Sequence, residues 1–110
     1  MALSPNGLNL VADAFETAVT HLQVHSGAEG AAGTTNVVGS RTAVTGKTAG
    51  NAQATFTGSF TGLPANQSVA RVTYWTASTG GSYLGGGAPT GDTAANAAGA
   101  FTANVTETFA

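Results

Sequence analysis

The chain has 110 residues, of which 3 are Lys or Arg and 5 are Asp or Glu, giving a net charge of −2. Soluble domains average about 25% charged residues, against 7% here. Three cations cannot neutralise a run of phosphates, which argues against nucleic acid as a partner, and 42% hydrophobic residues with little charge argue against disorder.

From the N-terminus, Ser4-Pro5 reads as a helix start, with Ser as the cap and Pro in the first turn. Leu8, Val11, Ala12, Phe15 and Val19 recur at helical spacing, and Asn9, Asp13, Glu16 and Thr17 supply the polar side. The spacing predicts one amphipathic helix over about Pro5 to Val19. Its stripe either packs the domain's own core, the plainer reading, or docks a partner.

The period then changes to two. Thr20 to His25 alternates, with Leu22 and Val24 on one side and His21, Gln23 and His25 on the other, as in a half-buried strand. Ser26 to Thr35, rich in Gly and Ala, reads as a loop. Further short strands are expected near Arg41 to Thr45, Gln53 to Phe60, Ser68 to Ala77, Ser82 to Gly86 and Ala100 to Phe109. Breaks are expected at Gly46 to Asn51, Gly62 to Asn66, Ser78 to Gly81 and Ala88 to Asp92. The Gly80-Gly81 pair is a hairpin signal, because both positions can take positive φ. These features predict a mainly β chain, an antiparallel β-sandwich of short strands preceded by the helix, in a single domain spanning 1–110.

The core available to that sandwich is thin, since Val, Leu and Phe together number 20 and Ile is absent. Ala and Gly positions return little on burial. We therefore expect neighbouring molecules to contribute part of the stability, and a homo-oligomer to form. There are no cysteines, so disulfide and thiolate chemistry are excluded. Met1 to Leu10 show no basic region followed by an apolar stretch, and no run approaches the roughly 20 apolar residues of a membrane span. Neither export nor a membrane is expected.

Candidate chemistry is sparse. His21 and His25 have the His-x3-His spacing of a helical metal pair, but on a strand the rings lie roughly 13 Å apart, too far for one ion. Gly46-Lys47-Thr48 resembles the end of a phosphate-binding loop, yet Arg41 stands where the pattern needs its first glycine. Asp13 and Glu16 fit a solvated helix face, and Asp92 fits a turn. No catalytic residue, cofactor or metal is expected. Arg71 and Trp75 lie on the strand richest in β-branched and aromatic residues, where Trp75 is either core or an interface anchor.

Several stretches taken together look familiar. They are the opening Met-Ala-Leu-Ser-Pro-Asn-Gly-Leu-Asn-Leu-Val-Ala-Asp-Ala-Phe, then Val19 to Gly33, then Val72 to Ala88 with its aromatic strand, Gly-Gly turn and small-residue strand. Ala98-Gly99-Ala100-Phe101 with the alternating strand after it also fits. This layout resembles a family of small virion structural proteins of tailed phages that infect actinobacteria, often labelled tail-fibre or minor structural proteins. The resemblance implies a non-enzymatic part of the virion, assembled in the bacterial cytoplasm, with the major capsid protein or tail proteins of the same phage as partners. A compact domain without a stalk favours a capsid decoration or minor capsid protein on the outer surface of the head. The alternative is a minor tail or tail-fibre protein, with Tyr83 or Trp75 stacking on host glycans. A free-standing binding module or shallow-site enzyme is the reading from a different class. The candidate interface or packing residues are Leu8, Val11, Phe15, Val19, Arg71, Trp75 and Tyr83.

Overall fold

The computed structural model describes residues 3–110. Met1 and Ala2, which open the first of the familiar stretches, lie outside them. The fold is mainly β. Helix α1 (Pro5–Ala18) precedes β1 (His21–His25), β2 (Val37–Ala43), β3 (Gly46–Gly50), β4 (Gln53–Phe60), β5 (Arg71–Trp75), β6 (Tyr83–Gly87) and β7 (Phe101–Thr108). The strands form two antiparallel sheets, in the orders β2-β1-β5-β6 and β3-β4-β7.

Local chemistry explains the helix limits. The Ser4 hydroxyl accepts a hydrogen bond from the Gly7 N–H at 3.1 Å, and Pro5 occupies the first turn. At the other end Val19 turns to extended backbone, with φ −79° and ψ 115°. The Lys47 ammonium donates to the carbonyls of Glu16 (2.9 Å) and Val19 (3.2 Å), which takes up acceptors the helix leaves free.

The core lies between the sheets. Leu22, Val24, Val72 and Tyr74 face Ala54, Phe56, Phe60, Phe101, Ala103 and Val105, all buried. Strict alternation along β4 and β7 puts these residues inward and Thr55, Thr57, Thr102 and Thr106 outward, as period-2 strands require. Phe15 of α1 completes an aromatic cluster, with ring centroids 5.8 Å from Phe56, 5.2 Å from Tyr74 and 5.4 Å from Phe109. Asn9 accepts from the Ala52 N–H at 2.8 Å, so the helix is tied to the β3–β4 hairpin by a polar bond as well.

Several expectations need correction. Gly46 to Asn51 is not a break: Gly46–Gly50 is edge strand β3, followed by a two-residue turn at Asn51-Ala52. Its ladder to β4 is made of backbone bonds, and glycines at both ends leave no side-chain alternation to read. The second strand lies earlier than expected, at Val37–Ala43, and Ser68 to Ala77 shortens to Arg71–Trp75 because Val69 instead donates to the Thr93 carbonyl. Val11 does not serve the core. It is 40% exposed, whereas Ala12 beside it is fully buried. Strand β1 is buried on both sides, not one. Gly80 and Gly81 do take positive φ, 60° and 68°, at the β5–β6 turn.

The Asn51-Ala52 turn carries strain. Both residues have positive φ, 52° and 59°, and the left-handed region disfavours a residue with a Cβ by about 1–2 kcal/mol. Ala52→Gly should therefore stabilise the protein by about 0.5–1 kcal/mol, after allowing for the extra freedom of glycine in the unfolded chain. The melting temperature should rise by a few degrees. A fall would mean that the Ala52 methyl contributes packing worth more than the strain.

Candidate functional site

The sequence-selected residues separate into two groups on different sheets. Leu8, Val11, Phe15 and Val19 belong to α1 and its C-terminal end, and α1 packs on β3 and β4. Val19 is fully buried and Phe15 half-buried in the aromatic cluster, so both serve the core; Leu8 is half-buried. Arg71, Trp75 and Tyr83 come together on the outer face of β5 and β6.

That outer face is covered by the loop between β1 and β2. Glu29, from the loop, lies across the face with its side chain 9% exposed. Its carboxylate accepts from Arg71 twice, Nε to Oε1 at 2.9 Å and Nη2 to Oε2 at 3.1 Å, and from the Tyr83 hydroxyl at 3.1 Å. Such a fork-to-fork pair is geometrically demanding. Arg71 also donates to the Gly86 carbonyl at 3.2 Å. The absence of a side chain at Gly86 makes the arrangement possible, since a Cβ there would stand 2.6 Å from Glu29 Oε2. Gly33 has the same role beneath Tyr83, whose ring would lie 2.5 Å from an added Cβ.

A second polar chain runs beneath the loop. The Trp75 indole N–H donates to Thr73 Oγ1 (2.8 Å), which lies 2.8 Å from His25 Nε2. His25 Nδ1 lies 2.8 Å from the Thr35 carbonyl. A carbonyl only accepts, so Nδ1 carries a proton; in the neutral ring, which burial favours, Nε2 accepts from the Thr73 hydroxyl. Gln23 donates to the carbonyls of Val38 (3.0 Å) and Gly39 (3.2 Å), which holds the irregular edge strand β2. Arg41 donates to the carbonyls of Ala77 (3.0 Å) and Gly80 (2.8 Å), and its guanidinium lies 3.5 Å from the centre of the Trp75 ring. Trp75 is 6% exposed between Arg41 and Tyr83, so it offers no open face for a sugar.

The electrostatics follow from these contacts. The Arg71 guanidinium holds the Glu29 carboxyl down at about 2, with further help from Tyr83. Burial pushes His25 below its ordinary value, against the pull of the Thr35 carbonyl and the Glu29 charge. Burial raises Glu107, which sits at the end of β7. In the core, the Tyr74 hydroxyl is buried without a hydrogen-bond partner, and burial raises its pKa far above the ordinary tyrosine range.

Sequence reasoning missed Glu29, Thr73 and Arg41, and treated His25 as part of an exposed polar face. One signal was present: an arginine on the strand richest in β-branched and aromatic residues calls for a carboxylate, and the chain contains only 5 acids. What the network does is fasten the loop to the sheet. Both His25 nitrogens and both Glu29 oxygens are already bonded. Among the described residues there is no pocket, and no group of three His, Asp or Glu side chains is placed to hold a metal ion.

The outer face of β3, β4 and β7 is different. It presents Thr48 from β3, Gln53, Thr55, Thr57 and Ser59 from β4, and Thr102, Asn104, Thr106 and Thr108 from β7, with no charge. Cross-strand bonds order it: Thr55 to Thr106 and Thr57 to Asn104 at 3.0 Å each, and Gln53 to Thr108 at 3.3 Å. The face is held by local bonds and presents hydroxyls and amides to its surroundings.

No family model, no curated protein and no solved structure matches the chain.

Proposed function

We propose that the protein is a non-enzymatic structural component of a bacteriophage virion, a decoration or minor capsid protein seated on the outer surface of the head. The observation that carries the reading is the uncharged, hydrogen-bonding outer face of β3, β4 and β7. It supports docking through many short-range contacts with the major capsid protein rather than long-range attraction. Individually weak contacts of this type gain strength when repeated over a symmetric lattice, because each bound copy raises the effective concentration for the next. The familiar opening, loop and aromatic-strand stretches support the same class.

The test is the composition of purified particles. Gel and mass spectrometry should find the chain in virions at hundreds of copies. A dozen copies or fewer would place it in the tail, as a minor tail or fibre component. Absence from particles would end the virion reading.

A further inference from the structure

The two sheets have four outer strands: β2 and β6 of one, β3 and β7 of the other. An outer strand carries a row of unpaired N–H and C=O groups, a template for another strand, and soluble proteins blunt such edges. Three of the four are blunted here. β2 is bulged against β1 between Leu22 and Val24 and passes through Gly39 at φ 69°. β6 is irregular against β5 at Tyr74 and Trp75, and its Gly85 has φ 127°. On β7 the Asn104 carbonyl accepts from the Thr90 N–H at 2.7 Å and from the Thr90 hydroxyl at 3.2 Å, so the segment around Thr90 lies along that edge.

β3 has none of these devices. Its register with β4 runs unbroken from Gly46 to Gly50, and every residue but Ala49 is exposed. Gly50 and Gln53 flank the two-residue turn as a hydrogen-bonded pair. By alternation Gly46, Thr48 and Gly50 bond to β4, while Lys47 and Ala49 point their N–H and C=O groups away from it. Among the described residues no backbone bond takes up those four groups. A lysine commonly guards an edge. Lys47 does not, because it lies opposite Phe56 on the inner side and its ammonium is bound to the Glu16 and Val19 carbonyls.

We infer that β3 pairs antiparallel with β3 of a second copy, about a two-fold axis at Thr48. Lys47 of each copy then lies opposite Ala49 of the other. Their N–H and C=O groups form four interchain bonds, and this is the one two-fold register that uses all of them. The free groups demand an extended chain, and the side chains fit this one. Thr48, Thr55 and Thr106 already stand side by side across β3, β4 and β7. The axis continues that row into six threonines over six strands, with Thr48 facing Thr48, a favourable cross-strand pair. Gly46 of each copy meets Gly50 of the other, and Ala49 faces Lys47, so no like charges stand directly opposite.

In strand addition the main-chain bonds supply the affinity. Four of them make a pair that is weak in dilute solution and closes where copies are held side by side. The pairing does not depend on the virion reading. Only its use does, which is to double the hydroxyl-bearing face offered to the shell.

Amide exchange of the native chain tests the inference directly. The Lys47 and Ala49 amides should exchange at least about threefold more slowly at high than at low protein concentration, while the Thr48 amide, bonded to β4, stays protected at both. The chain has no cysteine, so single cysteines report contacts cleanly. Thr48→Cys puts its Cα about 4.5 Å from its mate, within disulfide range. Under mild oxidation it should dimerise at least about tenfold faster than Thr102→Cys, which is exposed on the same face at β7. Thr48→Lys should remove the concentration dependence by setting like charges opposite each other, and mixing it with Thr48→Glu should restore it. Thr48 is exposed, so both variants should melt within a few degrees of the parent.

Concentration-independent exchange at Lys47 and Ala49 would overturn the inference. So would equal dimerisation of Thr48→Cys and Thr102→Cys, or a Lys and Glu mixture that stays unpaired. All three are read on the isolated chain, so their failure is distinct from absence of the chain from virions, which overturns the proposed function alone.

Discussion

Phe56→Ala is expected to destabilise the protein by about 4 kcal/mol, the usual loss when a buried phenylalanine is truncated in a core that cannot collapse around the cavity. Phe56 is fully buried. Its ring centroid is 5.8 Å from Phe15 and 5.3 Å from Tyr74, so it links the helix, the three-stranded sheet and the four-stranded sheet. Small domains are stable by only about 5–15 kcal/mol, and with 20 Val, Leu and Phe residues in the chain there is little else to compensate. Denaturant unfolding followed by circular dichroism should show a much lower midpoint, with the helical signal lost in the same transition. Phe109→Ala, at the partly buried end of the cluster, should lose markedly less. A loss below about 1 kcal/mol for Phe56→Ala would mean that the two sheets close around the cavity, contrary to expectation.

Glu29→Gln should destabilise by about 2 kcal/mol. Breaking a fully buried ion pair costs about 3–5 kcal/mol, but the Arg71 side chain is 37% exposed and solvent screens part of the interaction. The variant should also change the acid response. The Glu29 carboxyl is held at about 2 against an ordinary 4.5, so the unfolded chain takes up that proton first. The stability it contributes is complete above 4.5 and is lost as pH falls toward about 2.

His25 acts in the same direction through a different group. Its folded value lies below the ordinary 6.5 because of burial, so stability is lost as pH falls below 6.5. Glu107, raised by burial, works oppositely and favours the fold as it gains its proton. Denaturant midpoints measured from pH 7 downward should fall in both proteins below pH 6.5 through His25. Below 4.5 the parent should fall more steeply than Glu29→Gln. Identical acid limbs would show that Glu29 does not hold the loop. Proteolysis within residues 26–36 should become faster in the variant, because the carboxylate is what ties that segment to Arg71 and Tyr83.

Legibility followed the strength of side-chain patterning. Gln53 to Phe60 was readable to the residue because Ala54, Phe56, Gly58 and Phe60 point inward while polar residues alternate outward. The helix was readable within one residue because Ser4, Pro5 and the spacing of Leu8, Ala12 and Phe15 agree. Strand β3 was not, since an edge strand of Gly, Lys, Thr, Ala and Gly pairs through its backbone and buries almost nothing. The outward residues of β1 misled for a different reason. Gln23 and His25 are polar, but a covering loop removes them from water.

What the sequence by itself determined is the class of molecule: a sparsely charged, mainly β domain with one leading helix and an inward-facing apolar set. Those properties follow from composition and from periods of 3.6 and 2, which need no knowledge of distant neighbours. Tertiary structure alone decided which polar residues became internal. The partner of Arg71 lies 42 positions away at Glu29, and that of His25 lies 48 away at Thr73. It also decided that Val11, which shares the helical spacing of Ala12 and Phe15, faces outward. Hydrogen bonds and burial are set by proximity in space, and only the strand order β2-β1-β5-β6 brings the loop, His25, Arg71 and Tyr83 onto one face.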